Sequence, residues 1–154
     1  MKRLSILATI ISLGLSLNSQ TPCENGFAGE YPCDGYDLLT HYPLEAVGGG
    51  DNGNDCWGWV DEDSGREYVI FGRSDGTSFV EITDPLNPQF IANLPTVTAP
   101  SLWRDIKVIG NHAYIVSEAG MHGMQILNLE ELLSLSGFPY FITATYYYAG
   151  FGNS

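Results

Sequence analysis

The chain has 154 residues, with six Lys or Arg against 18 Asp or Glu and a formal net charge of −12 at pH 7. Such a surface repels nucleic acid and anionic lipid, so neither is an expected partner, and it suits an exported protein or a binder of cations. With 44% hydrophobic and 16% charged residues, the composition is that of a globular domain and excludes a disordered chain.

Lys2 and Arg3 precede an uncharged, mostly apolar run over residues 4–17, the charged and hydrophobic regions of a secretory signal peptide. Fourteen residues are too few for a comfortable membrane span. Cleavage near Ser19/Gln20 removes two basic residues and no acid, so the charge of −12 becomes −14 over the remaining 135 residues. No second apolar run of spanning length follows, and the reading is a leader at 1–19 and a secreted or cell-surface mature chain without a membrane span.

Residues 20–55 read as an irregular, cysteine-containing N-terminal segment. In an oxidising compartment Cys23 with Cys33 is the expected disulfide, closing a Gly/Pro-rich loop, and Cys33 with Cys56 is the competing pair. The unpaired cysteine is then expected to be a buried thiol beside Trp57. Residues 36–40 form a helical turn or a short extended piece. AVGGGDNGN over residues 46–54 is a flexible loop by composition. Asp51, Asn52, Asn54 and Asp55 gather oxygen-bearing side chains as calcium loops do, but the spacing fails the EF-hand pattern, and a plain connecting loop is the stronger reading. No Cys/His spacing points to zinc.

A first unit spans residues 56–95. WGWV is an aromatic strand, DEDSG a turn, and residues 67–71 the return strand. GRSDG is a second turn, residues 77–82 the third strand and residues 90–94 the fourth. A linker, PTVTAPS, leads into a second unit over residues 101–150. Its strands are expected at 103–109, at 112–117 after a Gly110-Asn111 hairpin signal, at 124–129 and at 140–148. Between the last two, EELLSLSG is a short helical insertion. Placing Gly76 on Gly123 and Ile82 on Leu129 gives an offset of 47, and Tyr68 on Tyr114 gives 46. A period in the mid-forties with several short strands per unit predicts an all-β fold of four-stranded antiparallel, propeller-like blades. About two blades are encoded, and this is the expectation of an incomplete propeller.

In a propeller the first strand of each blade lines the channel, and its ends and adjacent loops form the usual binding face. Arg104 and Asp105 open that strand in the second unit. Glu118 and His122 lie in the loop after its second strand, and Arg73 and Asp75 occupy the equivalent loop of the first unit. Asp, Glu, His and Arg together suit cation binding or acid–base work. Their roles as turn acids and as an internal Arg104–Asp105 pair outweigh that reading. No catalytic residue is assigned: Ser64, Ser101 and Ser117 lack a Gly-x-Ser-x-Gly turn, and the glycine run 48–50 is not followed by Gly-Lys-Ser/Thr. The aromatic residues Trp57, Trp59, Trp103 and Tyr146 to Tyr148 offer a sugar-stacking face or, more often, fill gaps between blades.

NDCWGW (54–59), GRSDGTSFVEITDPLNP (72–88), SLWRDIKV (101–108), NHAYIVSEA (111–119) and HGMQILNL (122–129) together resemble the N-terminal part of the LVIVD-repeat proteins of the choice-of-anchor B family. The resemblance runs over residues 23–154. It implies a secreted or surface-attached β-propeller-like protein, longer than this chain, often with a C-terminal anchoring segment that this sequence lacks. It carries over no catalytic residues and no cofactor. The favoured function is an extracellular binding or adhesion scaffold that engages a protein or glycan. The alternative is a metal-assisted hydrolase or lyase at the channel mouth.

Overall fold

The computed structural model describes residues 20–137 and 139–150. The leader expected at 1–19 lies outside the described residues. The described part is all-β, and no helix in it is long and apolar enough to cross a membrane.

Residues 20–52 hold little regular structure and are tied down by cross-links. Phe27–Ala28 (β1) and Tyr31–Pro32 (β2) pair antiparallel around Gly29, whose φ of +65° suits a residue without Cβ. Cys23 and Cys33 are bonded across this ribbon, their Cα atoms 5.9 Å apart, in the expected pairing. Leu38 bridges Thr21, so residues 36–40 take the extended option, and helical geometry is confined to the 3-10 turn Leu44–Val47. Closing a loop of ten residues, the disulfide contributes about 2–3 kcal/mol by chain entropy. A Cys33→Ser chain is expected to unfold at lower denaturant by that amount. Peptide mapping without reduction should recover the Cys23–Cys33 peptide, and a Cys33–Cys56 peptide would contradict the assignment.

The first sheet is an antiparallel meander of Gly53–Val60 (β3), Glu67–Arg73 (β4), Gly76–Glu81 (β5) and Gln89–Pro95 (β6). Its turns are built by acids that accept backbone N–H groups. Asp61 takes the amide of Ser64 at 2.9 Å, and Asp84 takes that of Leu86 at 3.1 Å. β3 begins before the expected WGWV run because a bulge at Asp55, with φ of +48°, lets the strand reach back to Gly53. Cys56 sits on this strand exposed, which corrects the expectation of a buried thiol.

The second sheet runs through Arg104–Ile109 (β7), His112–Ser117 (β8) and Met124–Asn128 (β9). The expected helical insertion is a 3-10 segment, Leu129–Ser134, and the Asn128 side chain accepts the amide of Glu130 at its start. The expected fourth strand over 140–148 is not one strand. Tyr140–Phe141 (β10) joins the first sheet, parallel to β6, while Tyr146–Tyr148 (β11) pairs antiparallel with β9. The break has a local cause: the hydroxyl of Thr145 accepts the Asn128 amide at 2.8 Å, where a ladder carbonyl would otherwise stand, and donates to Glu131 at 2.6 Å. The sheet orders are therefore β10-β6-β5-β4-β3 and β11-β9-β8-β7.

Alternation along each strand sets the packing. Tyr68 and Ile70 on β4, Phe79 on β5, and Ala92 and Leu94 on β6 face Ile106, Ala113, Ile115 and Leu127 of the second sheet, closed at one end by Leu129 and Leu132. Each large aliphatic or aromatic side chain buried there contributes about 1.5–3 kcal/mol. Burial also holds the Tyr68 phenol up at about 12. Polar ties also cross between the first sheet and the second unit. The Trp59 indole N–H reaches Asn111 Oδ1 at 3.4 Å, and Arg66 forks onto Glu81 while donating to the carbonyl of Leu133 at 3.0 Å. On the far side of the first sheet, Val69, Phe71 and Val80 are crossed by residues 40–47. That strap is pinned by Tyr42 OH to Pro88 O at 2.6 Å, Thr40 Oγ1 to Pro85 O at 3.0 Å, and Ser78 Oγ to Val47 O.

Candidate functional site

The start of β7 separates the two residues expected to act together. Successive strand residues point to opposite faces, so Arg104 turns inward and is 3% exposed while Asp105 turns outward. Arg104 and Asp105 therefore do not form the internal pair expected of them. Arg104 donates its backbone N–H to Asn54 Oδ1 at 3.0 Å and its Nε–H to the carbonyl of Arg73, also at 3.0 Å. Asp105 instead pairs with Lys107 Nζ at 2.8 Å on the surface.

Arg73, at the end of β4, is 1% exposed. Its Nη1 donates to Gly49 O at 3.0 Å and lies 2.8 Å from Asp75 Oδ1, and its Nη2 donates to Asn93 Oδ1. The glycine run explains how a guanidinium is enclosed there: a Cβ on Gly48, whose φ is +113°, would stand 2.8 Å from Arg73 Cζ. The run read as a flexible loop by composition is a cradle fitted around one side chain. The same loop uses two of the four side chains grouped as a calcium candidate, those of Asn54 and Asp55, as structural acceptors, and Asn52 through its backbone carbonyl. Asn54 Oδ1 accepts from Arg104, Asp55 Oδ2 accepts the Ile106 amide at 2.7 Å, and Asn52 O accepts the Ser74 amide at 3.0 Å. Among the described residues no three His, Cys, Asp or Glu side chains are placed to share a metal ion.

His122 joins the arginines from the loop before β9. Its Nε2 lies 3.5 Å from Arg104 Nη1, and its Nδ1 lies 2.9 Å from Thr98 Oγ1. A guanidinium has only donors, so Nε2 is the accepting nitrogen and the proton sits on Nδ1, facing Thr98. Burial, and then the charge of Arg104, push the imidazole down to about 4. Burial also lowers both guanidinium pKa values, against the favourable charge of Asp75. The structure thus brings Arg104 and His122 together between the sheets, while Arg73 and Asp75 pair on the opposite, strapped face of the first sheet and are joined to Arg104 through the Arg73 carbonyl.

Asp105 and Glu118 belong instead to an open cleft of about 320 Å³, backed by Arg104 and lined by Asn54, Asp55, Trp103 and Ser117. Glu118 accepts from Ser101 Oγ at 2.8 Å, and the Ser117 hydroxyl donates to Trp103 O at 3.2 Å, which fixes the rim. The Lys107 ammonium, and then contact with Asp55, hold the Asp105 carboxyl below its ordinary value. Lys107 Nζ also lies 4.5 Å from the centre of the Trp57 ring. Trp103 is 57% exposed at the cleft. The cleft presents carboxylates and an indole face to solvent, an arrangement suited to accepting hydrogen bonds, attracting positive charge and stacking a flat apolar surface.

Of the residues that build this region, Asn54 and Asp55 were read only as part of a calcium-loop candidate, and Asn93 was not singled out. The usable signal was an Asn-Asp pair directly before an aromatic strand, since Asp and Asn tolerate the left-handed backbone that a bulge requires. No family model, curated protein or solved structure matches the chain.

Proposed function

We propose that the chain is an exported, propeller-like repeat scaffold that binds an extracellular protein or glycan through the cleft at the start of β7. The leader-like residues 1–19, the repeat of 46–47 residues and the resemblance to LVIVD-repeat, choice-of-anchor B proteins support export and the repeat architecture. One observation carries the binding role: Trp103 is exposed beside the carboxylates Asp55, Asp105 and Glu118 in a cleft of about 320 Å³. In this reading the indole stacks on a sugar ring or on the apolar stem of a basic side chain, and the carboxylates accept hydrogen bonds from hydroxyl or ammonium groups. Arg104 backs the cleft, and Arg73 and His122 stand outside its lining.

Binding to a glycan panel and to lysine- and arginine-containing peptides tests this. Trp103→Ala is expected to weaken the best ligand about 10- to 30-fold, the loss typical of an aromatic anchor, with unchanged folding by circular dichroism. Equal affinity in wild type and Trp103→Ala would remove the cleft from the function. A stoichiometric metal ion in the purified protein would instead favour the metal-assisted hydrolase or lyase.

A further inference from the structure

The two sheets are stacked by a rule that the repeat makes explicit. Strand registers place Tyr114, Ile126 and Tyr146 in one cross-strand row of the second sheet, with Val116 and Met124 in the adjacent row on the same face. Ile115 and Leu127 point the other way and are fully buried against the first sheet. Shifting by the repeat offset of 46–47 carries Tyr68, Ile70, Thr77 and Phe79 onto Tyr114, Val116, Met124 and Ile126. In the first sheet those four are at most 1% exposed, because the second sheet covers them. Their counterparts are only half-buried, and Tyr146 beside them is 62% exposed. The same shift carries Val69 onto Ile115 and Val80 onto Leu127, so the opposite faces also correspond.

We infer that the outer face of the second sheet is a docking surface for a further sheet of this same repeat, one that presents small and branched aliphatics in the pattern of Ala113, Ile115 and Leu127. The occupant follows from the existing interface, in which a Tyr/Ile/Phe face is covered by an Ala/Ile/Leu face. Repeat stacks reuse one interface from unit to unit. The inner strands β3 and β7 already lie side by side, and a third sheet placed by the same rule extends that row. At the other end, the far face of the first sheet is the one that would pair with a second copy head to tail, and there residues 40–47 lie across Val69, Phe71 and Val80. The stack therefore has a strapped end and a receptive end. This inference rests on the repeat and not on the ligand of the cleft; Val116 and Asp105 border both surfaces, so Ile126→Lys, outside the cleft, is the variant whose loss of docking with cleft binding retained separates the two.

The test extends the full chain after residue 150 with a second copy of its own residues 96–150. In the unextended chain, Val116→Glu and Ile126→Lys are expected to shift Tm by less than about 2 °C and to leave the mass monomeric, because the face is bare. In the extended chain Tm should rise, and the same two substitutions should lower it by about 5–10 °C, as loss of a buried contact does in a domain of this size. Asp in place of the added copy's equivalents of Ile115 and Leu127 should abolish the gain. A dimer of the unextended chain that Val116→Glu dissociates would make a second copy the occupant and overturn the proposal. So would a drop of more than about 5 °C in the unextended Val116→Glu chain, an extended chain no more stable than its parent, or one that aggregates while the parent stays monomeric.

Discussion

Arg73→Ala is expected to be among the most destabilising single substitutions in the chain, lowering unfolding free energy by about 3–5 kcal/mol. Arg73 is 1% exposed, and its guanidinium holds Gly49 O, Asn93 Oδ1 and the Asp75 carboxylate at once. Alanine would leave an acceptor on each of the three without its donor and would empty the space that the glycine run encloses. Lysine should not rescue it, because one ammonium cannot fork to acceptors that far apart in direction. Methionine should lose less than alanine, since it fills the volume and removes a charge whose Nε has no partner. Urea unfolding of the three variants gives the ranking, and a loss below about 1 kcal/mol for Arg73→Ala would show that the cluster is not a structural centre.

A fall in stability between pH 6.5 and pH 4, amounting to about 3 kcal/mol, is the second large effect expected. The native imidazole of His122 is pushed down to about 4, while the unfolded chain titrates near the ordinary value of 6.5. In that window the unfolded state binds more protons than the native one, so stability is complete above the unfolded value, is lost as pH falls and levels off below the native value. Protonation is opposed by the Arg104 charge 3.5 Å away and by the 1% exposure of the ring. Carboxylates held low, such as Glu81 by Arg66 and Asp61 by Ser64, lose their contribution only below their own unfolded values, at more acidic pH. Equilibrium unfolding across pH separates the two limbs. His122→Asn should flatten the upper limb and leave the lower one, whereas a native pKa near 6.5 by NMR would refute the assignment.

Much of the strand order was readable because the turns carry their own chemistry. Asp61 to Gly65, Asp84-Pro85 and Gly110-Asn111 punctuate runs whose alternation requires a covered face, and the structure places hairpin ends or connections at each. The fate of residues 140–148 was not readable. YFITATYYY has uniform strand propensity, and what divides it is a side-chain hydroxyl meeting the Asn128 amide, a contact made only once β9 is in place. The site divided for a related reason. Arg104 and Asp105 are adjacent in sequence, but a strand separates neighbours, and which one turns inward depends on how β7 packs on the first sheet, where Asn54 and Asp55 accept the Arg104 and Ile106 amides. The glycine run misled because composition reports the conformations a loop can reach, while the Arg73 side chain that selects one of them lies 23 residues or more away in sequence.

The splitting of the last strand pair also sets a leash length. Phe141 is held on the edge of the first sheet and Tyr146 on the edge of the second, with five Cα steps between them. An extended chain covers at most about 17 Å in five steps. The outer edges of the two sheets cannot part further than that while both strands stay paired. The side of β3 and β7 is held more closely still, by Asn54 and Asp55 on the Arg104 and Ile106 amides, so the two sheets are tethered at both margins and the cleft beside Trp103 has a fixed back wall.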